Sequence, residues 1–326
     1  IRKMILEDDF EHGQGRLTAQ SPVNNYISLI KEKIKLDGRK LKVVVDCGNG
    51  TAGVFAPRLL KELGCEVVPL YCDSNPDFPN HFPDPVKPEN LKDLIEAVKS
   101  SKADIGVGFD GDGDRIGVVD DQGSIIWGDM LMILFWREIL PKYPGSPAIV
   151  EVKCSETLVD EIKRLGGRPI FYKTGHSLIK AKMKELNAVF TGEMSGHMFF
   201  ADEYLGYDDA LYACARLLRI LSQSGKPLSE LLSDVPKAFA TPEIRVECAE
   251  EEKGTYVEKA KKYFDALGKK SIDVDGVRVL FENGWGLVRA SNTGPELIIR
   301  CESKTQDGLE MIKKEISNSI HPLKIN

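Results

Sequence analysis

Short apolar runs alternate with amphipathic stretches along most of the chain, and the period of each predicts its element. A strand over 41–45 leads through Gly48-Asn49-Gly50-Thr51-Ala52-Gly53 into a helix over 54–63, and a second strand, 66–71, precedes a proline-rich stretch from Asn75 to Pro88. A helix over 90–100 then feeds two strands, 105–109 and 116–119. A similar order returns: helix 128–140, strand 148–152, a helix from Ser155 through Leu165, strand 168–172, helix 178–186 and strand 188–191. A long amphipathic helix over 207–224 follows, and Gly225-Lys226-Pro227 is expected to turn it into another. The tail reads as strand 244–248, helix 254–267, four strands between Ser271 and Cys301, and helix 307–317. The fold class this predicts is α/β: two similar α/β domains with mixed sheets, 23–124 and 125–237, then a smaller α+β domain, 238–326. Residues 1–22 read as a short helical segment and a polar linker. Because Ile1 opens that helical spacing without a strand or cap before it, the segment is expected to be the tail of an element lying upstream.

The chemistry concentrates where the apolar strand 105–109 ends, in Asp110-Gly111-Asp112-Gly113-Asp114-Arg115. Glycine spacers allow backbone angles closed to other residues, so the three carboxylates can converge. Anions held that close need a hard divalent cation, and oxygen ligands with an incomplete shell suggest Mg²⁺. Arg115 adds a fixed fork of donors suited to a phosphoryl oxygen. An EF-hand would need Gly sixth and Glu twelfth, between helices; Arg115 and Asp121 stand there, between strands. A haloacid-dehalogenase-type loop would carry Thr or Val at Asp114. Gly48 to Gly53 fits Gly-x-Gly-x-x-Gly, with Asp73 near the place of a ribose-binding acid. The proline-rich stretch that follows does not continue a dinucleotide fold, so the motif reads as a tight strand-to-helix turn.

Three later strand ends present Lys153, then Gly175-His176-Ser177 at a helix start, then Glu193 with Ser195 in Gly192-Glu193-Met194-Ser195-Gly196-His197. A lysine and helix-terminal amides suit an anion, and a carboxylate with a hydroxyl suits sugar hydroxyls. Taken singly, Ser177 reads equally as an N-cap, and His176 and Glu193 as solvated residues. In the tail, Arg289-Ala290-Ser291-Asn292-Thr293-Gly294 gathers a guanidinium, hydroxyls, an amide and glycine-permitted N–H groups in one turn, as a phosphate cradle would.

Composition narrows the partners. With 42% hydrophobic and 29% charged residues and a net charge of -6, the chain offers no basic footprint for nucleic acid or an anionic membrane. Its longest apolar run, around 130–136, is too short to span a bilayer. Seven scattered cysteines without a Cys-x-x-Cys pair predict reduced thiols in a cytoplasmic protein.

The metal loop, Thr174-Gly175-His176-Ser177, Gly192 to His197 and Arg289 to Gly294 recur in an order that resembles the bacterial phosphomannomutase/phosphoglucomutase branch of the α-D-phosphohexomutases, over almost the whole chain. The resemblance implies that Asp110, Asp112 and Asp114 bind Mg²⁺ and that Arg115 lies near the transferred phosphoryl group. It implies that Glu193 and Ser195 hold sugar hydroxyls. Arg289, Ser291, Asn292 and Thr293 would grip the non-reacting phosphate, with Lys153 and His176 assisting. It further implies interconversion of hexose 1- and 6-phosphates of glucose or mannose through a phosphoserine and a glucose 1,6-bisphosphate type of intermediate. The family's serine belongs to a Thr-x-Ser-His-Asn-Pro-like loop in a first domain; no such segment occurs in these residues, and the chain resembles domains two to four. It is therefore expected to be inactive alone, as monomer or dimer. The competing readings are a Mg²⁺ and phosphosugar-binding fragment and a metal-dependent phosphatase with Asp110 as nucleophile.

Overall fold

The computed structural model describes residues 1–325 and resolves them into three sheets. A five-residue helix, α1 (Arg2–Leu6), buries none of its side chains. The first domain begins at α2 (Val23–Lys33) and runs through β1 (Lys42–Asp46), α3 (Ala56–Glu62), β2 (Glu66–Leu70), α4 (Lys92–Ser101), β3 (Ile105–Phe109), β4 (Ile116–Asp120) and β5 (Ile125–Ile126). Its strands lie in the order β2-β1-β3-β4-β5, parallel at β2-β1-β3 and antiparallel beyond. Buried on both faces, β3 and β4 are continuous apolar runs rather than alternating ones.

The second domain repeats the plan: α5 (Gly128–Ile139), β6 (Pro147–Glu151), α6 (Glu156–Arg164), β7 (Arg168–Tyr172), α7 (His176–Leu186), β8 (Phe190–Gly192), β9 (Met198–Phe200) and α8 (Ala210–Ser224). Its order, β7-β6-β8-β9, matches β2-β1-β3-β4 in both sequence and direction. The two domains share one continuous apolar core, in which Ile27 and Leu59 of the first join Leu217 and Leu221 on α8. Tyr26 ties them further, its hydroxyl donating to the buried Asp209 carboxylate at 2.8 Å.

The C-terminal domain is an antiparallel sheet under two helices: β10 (Phe239–Ala240), β11 (Ile244–Glu247), α9 (Lys253–Ala266), β12 (Ser271–Ile272), β13 (Val277–Phe281), β14 (Gly284–Ala290), β15 (Glu296–Ser303) and α10 (Gln306–Ser319). It has its own core, with Ile299, Ile312 and Ile316 at the centre. No helix among the described residues is long and apolar enough to cross a membrane.

Several expected elements change in detail. The segment after Pro227 forms only a short 3-10 turn, Leu228–Glu230, not a second helix. The helix expected from 207 starts at Ala210, where Asp209 caps it by accepting from Tyr212 N–H. The residues before Ala56 coil as a 3-10 turn, Thr51–Val54. Strands β5, β9 and β10 are too short to show a period.

The second and C-terminal domains meet through charge set in an apolar frame. Arg278, fully buried, donates to the carbonyls of Val152 and Cys154 at 2.7 Å each and to Glu156 at 2.9 Å. Its guanidinium stacks 3.7 Å from the Trp285 ring centre, where Val152 and Leu287 close the contact. Removing one member of such a buried set leaves the others unpaired, so Arg278→Met should lower stability by about 3 kcal/mol. Denaturant titration with limited proteolysis of the 236–242 connection checks this; unchanged stability and cleavage would mean that Arg278 fastens nothing.

Candidate active site

Asp110 shapes the loop at the end of β3. One of its oxygens accepts the N–H groups of Gly113, Asp114 and Arg115, each at 3.0 Å, and the other accepts Arg115 Nε at 2.7 Å. Burial opposes its charge, but these donors hold its pKa below the ordinary carboxylate value. Arg115 Nη1 also binds Asp84 at 3.0 Å, while Nη2 has no protein acceptor among the described residues. Asp110, Asp112 and Asp114 each offer an oxygen within 4.8 Å of the others. Burial, opposed by His197 and reinforced by Asp110 and Asp112, pushes Asp114 up to about 6. Three hard oxygen donors, one of them with its charge opposed by burial and by its two neighbours, fit Mg²⁺.

The Gly48-to-Gly53 turn is the loop's support. Its N–H groups are already engaged: Asn49 with Tyr71 O, Gly50 with Cys47 O, and Thr51 with Gly111 O at 2.9 Å. A side chain at Gly50 would meet Gly111 O at 2.8 Å, so the turn's closeness to the loop requires glycine.

The β8–β9 hairpin docks against the metal loop. Ile116 N–H donates to Gly196 O at 3.1 Å, and Arg115 bridges to His197. Gly196 has φ +99°, and a Cβ there would lie 2.4 Å from Ile116 O. His197 Nδ1 sits 3.6 Å from Asp114 and 3.1 Å from Asp208. The Asp208 contact is off the line of a good hydrogen bond, so it acts through charge. Asp208 also holds His176 Nδ1 at 3.2 Å and Lys180 Nζ at 2.8 Å, and the two histidine rings stack 5.3 Å apart. Ser177 lies beside His176 in the exposed first turn of α7, and Ser195 is half-buried at the hairpin tip. Glu193 is buried, accepting Gly175 N–H at 2.7 Å; burial and the nearby Glu151 raise its pKa.

Lys153 faces both ways. Its Nζ donates to Glu243 at 3.0 Å and lies 3.7 Å from Glu151. Burial works against its charge, yet those two carboxylates keep its pKa above the ordinary lysine value. In the C-terminal domain, Arg289 Nε binds Asp275 at 3.0 Å, and Asp275 also accepts Thr174 N–H at 3.1 Å. Arg289 Nη2 is buried without a partner. Beyond it, Ser291 Oγ accepts the N–H groups of Thr293 and Gly294 at 3.2 Å, with Asn292 and Thr293 exposed. Under this loop the buried Lys253 ammonium binds the carbonyls of Ser291 and Gly294 at 2.8 and 3.0 Å. A cavity of about 840 Å³ lies elsewhere, behind α6 and the β13–β14 turn, and none of these side chains lines it.

Residues 24–123 match the family model for phosphoglucomutase/phosphomannomutase alpha/beta/alpha domain II, residues 127–239 that for domain III, and residues 243–319 that for the C-terminal domain. The chain belongs to the phosphoglucomutase/phosphomannomutase family. A phosphomannomutase/phosphoglucomutase of Pseudomonas aeruginosa is 47% identical over 322 residues, covering 98% of this chain and 69% of that protein. A phosphoglucomutase of Neisseria meningitidis serogroup A is 46% identical over 304 residues, 93% of this chain and 66% of the relative. A solved phosphoglucomutase/phosphomannomutase family protein from Burkholderia thailandensis superposes with a TM-score of 0.91 at 42% identity, covering 99% of this chain and 70% of that one.

In this family member contacts link these side chains: Asp114 lies near His197, which shares Asp208 with His176, Glu193 accepts Gly175 N–H, and Asp275 joins Arg289 to Thr174; Ser177, Asn292 and Thr293 are exposed. Sequence reasoning missed Glu151, His197, Asp208, Glu243, Lys253 and Asp275. Only His197 had a local signal, as the last residue of its motif.

Asp114 yields a test. An acid whose folded pKa, about 6, exceeds its ordinary 3.8 binds its proton more tightly when folded. Between those values the metal-free chain therefore loses stability as pH rises. In chelator at neutral pH, Asp114→Asn should raise the melting temperature, and the gain should vanish as the pH falls below the ordinary carboxylate range. Added Mg²⁺ should stabilise the wild type and not the variant. A variant less stable in chelator would contradict the crowding of charge.

Proposed function

We propose that this chain provides the metal, sugar and phosphate sites of a hexose phosphate mutase that moves a phosphoryl group between the 1- and 6-oxygens of glucose or mannose phosphates. The observation that carries the reading is Arg289 Nη2, a buried guanidinium donor with no protein partner among the described residues, set near Lys153. A buried cation left open, in a chain that also carries a carboxylate triad, suits a ligand with a phosphate to grip and a second phosphoryl group to transfer. Mg²⁺ held by Asp110, Asp112 and Asp114 would neutralise charge on the moving group. Arg115, fixed by Asp110 and Asp84, would offer Nη2 to the same group. Glu193 and Ser195 hold sugar hydroxyls, and His197 stands beside Asp114, where the carboxylates around it favour its charged form. Arg289, Ser291, Asn292 and Thr293 grip the other phosphate, assisted by Lys153 and His176.

The phosphoryl donor is a phosphoserine outside these residues, in the sense of the family resemblance. It passes its group to the free sugar oxygen, and the resulting 1,6-bisphosphate returns the other group to the serine. A phosphatase reading with Asp110 as nucleophile would predict net release of inorganic phosphate in place of isomer interconversion.

Calorimetry of this chain with glucose 1-phosphate and Mg²⁺ tests the grip. Arg289→Ala should weaken binding about 10–100-fold, the worth of a charge-assisted hydrogen bond. Equal affinity would remove the C-terminal grip. In a preparation that includes the serine-bearing domain, Asp112→Asn should abolish isomer interconversion without unfolding the chain; retained turnover would refute the metal role.

A further inference from the structure

Beneath the turn that supports the metal loop, two thiols face each other. Cys47 follows β1 and is fully buried; Cys72 lies two residues past β2 and is partly exposed. Parallel pairing of the two strands brings their ends together, and the two Sγ atoms are 3.5 Å apart. Each cysteine also anchors one end of the turn. Cys47 O accepts Gly50 N–H at 2.7 Å, and Thr51, next along, binds Gly111 O of the metal loop. At the other end Gly53 packs so tightly on Cys72 that a Cβ there would lie 2.0 Å from Cys72 O. Cys248, also partly exposed, lies in a different domain.

We propose that Cys47 and Cys72 form a reversible disulfide on exposure to a peroxide, and that the cross-link loosens the metal loop through the Gly48–Gly53 turn. Cys72 is the accessible sulfur, and the Cys47 contact favours its thiolate while disfavouring that of Cys47. The Cys72 thiolate attacks one peroxide oxygen; the O–O bond breaks, and the leaving hydroxide takes a proton to become water. Cys47 sulfur then attacks the Cys72 sulfenic sulfur, its proton going to the departing oxygen, which leaves as a second water. Two thiols and one peroxide thus give one disulfide and two waters, and a dithiol reverses the step by exchange. Turning a 3.5 Å contact into a bond draws Cys47 toward the end of β2 and carries Gly50 and Thr51 with it.

The experiment treats the chain with dilute hydrogen peroxide, maps its disulfides by mass spectrometry and titrates Mn²⁺ by calorimetry before and after. The expected result is the loss of two hydrogens, a linked 47–72 peptide, and a several-fold weaker Mn²⁺ affinity that dithiothreitol restores. Cys72→Ala, with Cys47→Ala as a second variant, should neither cross-link nor change affinity after peroxide. Over-oxidation of Cys72 with Cys47 still open to alkylation, or a link elsewhere, overturns the site. A linked chain with unchanged Mn²⁺ affinity overturns the coupling. The coupling rests on the metal reading of the loop: a reduced chain that binds no Mn²⁺ refutes that reading and the coupling together, while the disulfide stands or falls on the peptide map.

Discussion

A buried carboxylate without partners would shed its charge or unfold its surroundings, and Asp110 escapes both by collecting three loop amides and a guanidinium. The rest of the cleft is arranged around that solution. To bring three successive N–H groups onto one oxygen, the chain must curl through Gly113, at φ +79°. The curl turns Asp112 and Asp114 back toward Asp110 and sends Gly111 O outward, where Thr51 receives it. Arg115 is fixed in the same act, because its side chain closes the fourth contact. One charge therefore sets the loop's shape, its ligands and its nearest cation.

The same device recurs within the second domain and where it meets the C-terminal one. Glu151 ends β6 as Asp46 ends β1, fully buried, and accepts the Thr174 hydroxyl at 2.6 Å while lying near Lys153. Asp208 gathers His176, His197 and Lys180; Asp275 joins Thr174 to Arg289. Each carboxylate links two segments far apart in sequence, so the cleft is held by charges that only the folded chain can pair. The Asp275–Thr174, Lys153–Glu243 and Arg278–Glu156 contacts all cross between the second and C-terminal domains.

What could be read in advance follows from this. Element order, domain similarity and the three loops were legible because glycine, aspartate and apolar runs mark them locally: the Asp-Gly-Asp-Gly-Asp-Arg run carries its own geometry. Glu151, Glu243, Asp275 and Lys253 carry no such mark, since each gains its role from a partner in a distant segment. The short strand β9 was hidden because three residues show no period, and the helix expected after Pro227 failed because it amounted to one turn. The glycine pattern at Gly48 was legible as a turn, but not as a support for the metal loop, which depends on a contact 60 residues away.

Arg289 shows how these ties bear on ligand binding. A free guanidinium on a flexible stem would lose rotamer freedom on meeting a phosphate, and that loss would weaken the grip. Here Asp275 holds Nε and fixes the plane of the fork, leaving Nη2 aimed without a partner. Because Asp275 also receives Thr174 N–H, the plane of Arg289 and the start of the Gly175-His176 turn are set by one carboxylate. A phosphate bound at Nη2 would meet a cation already oriented, and a shift of the turn at His176 would be felt at Arg289. In the proposed mutase, that places the grip on the resting phosphate and the histidines beside the reacting one under a common constraint.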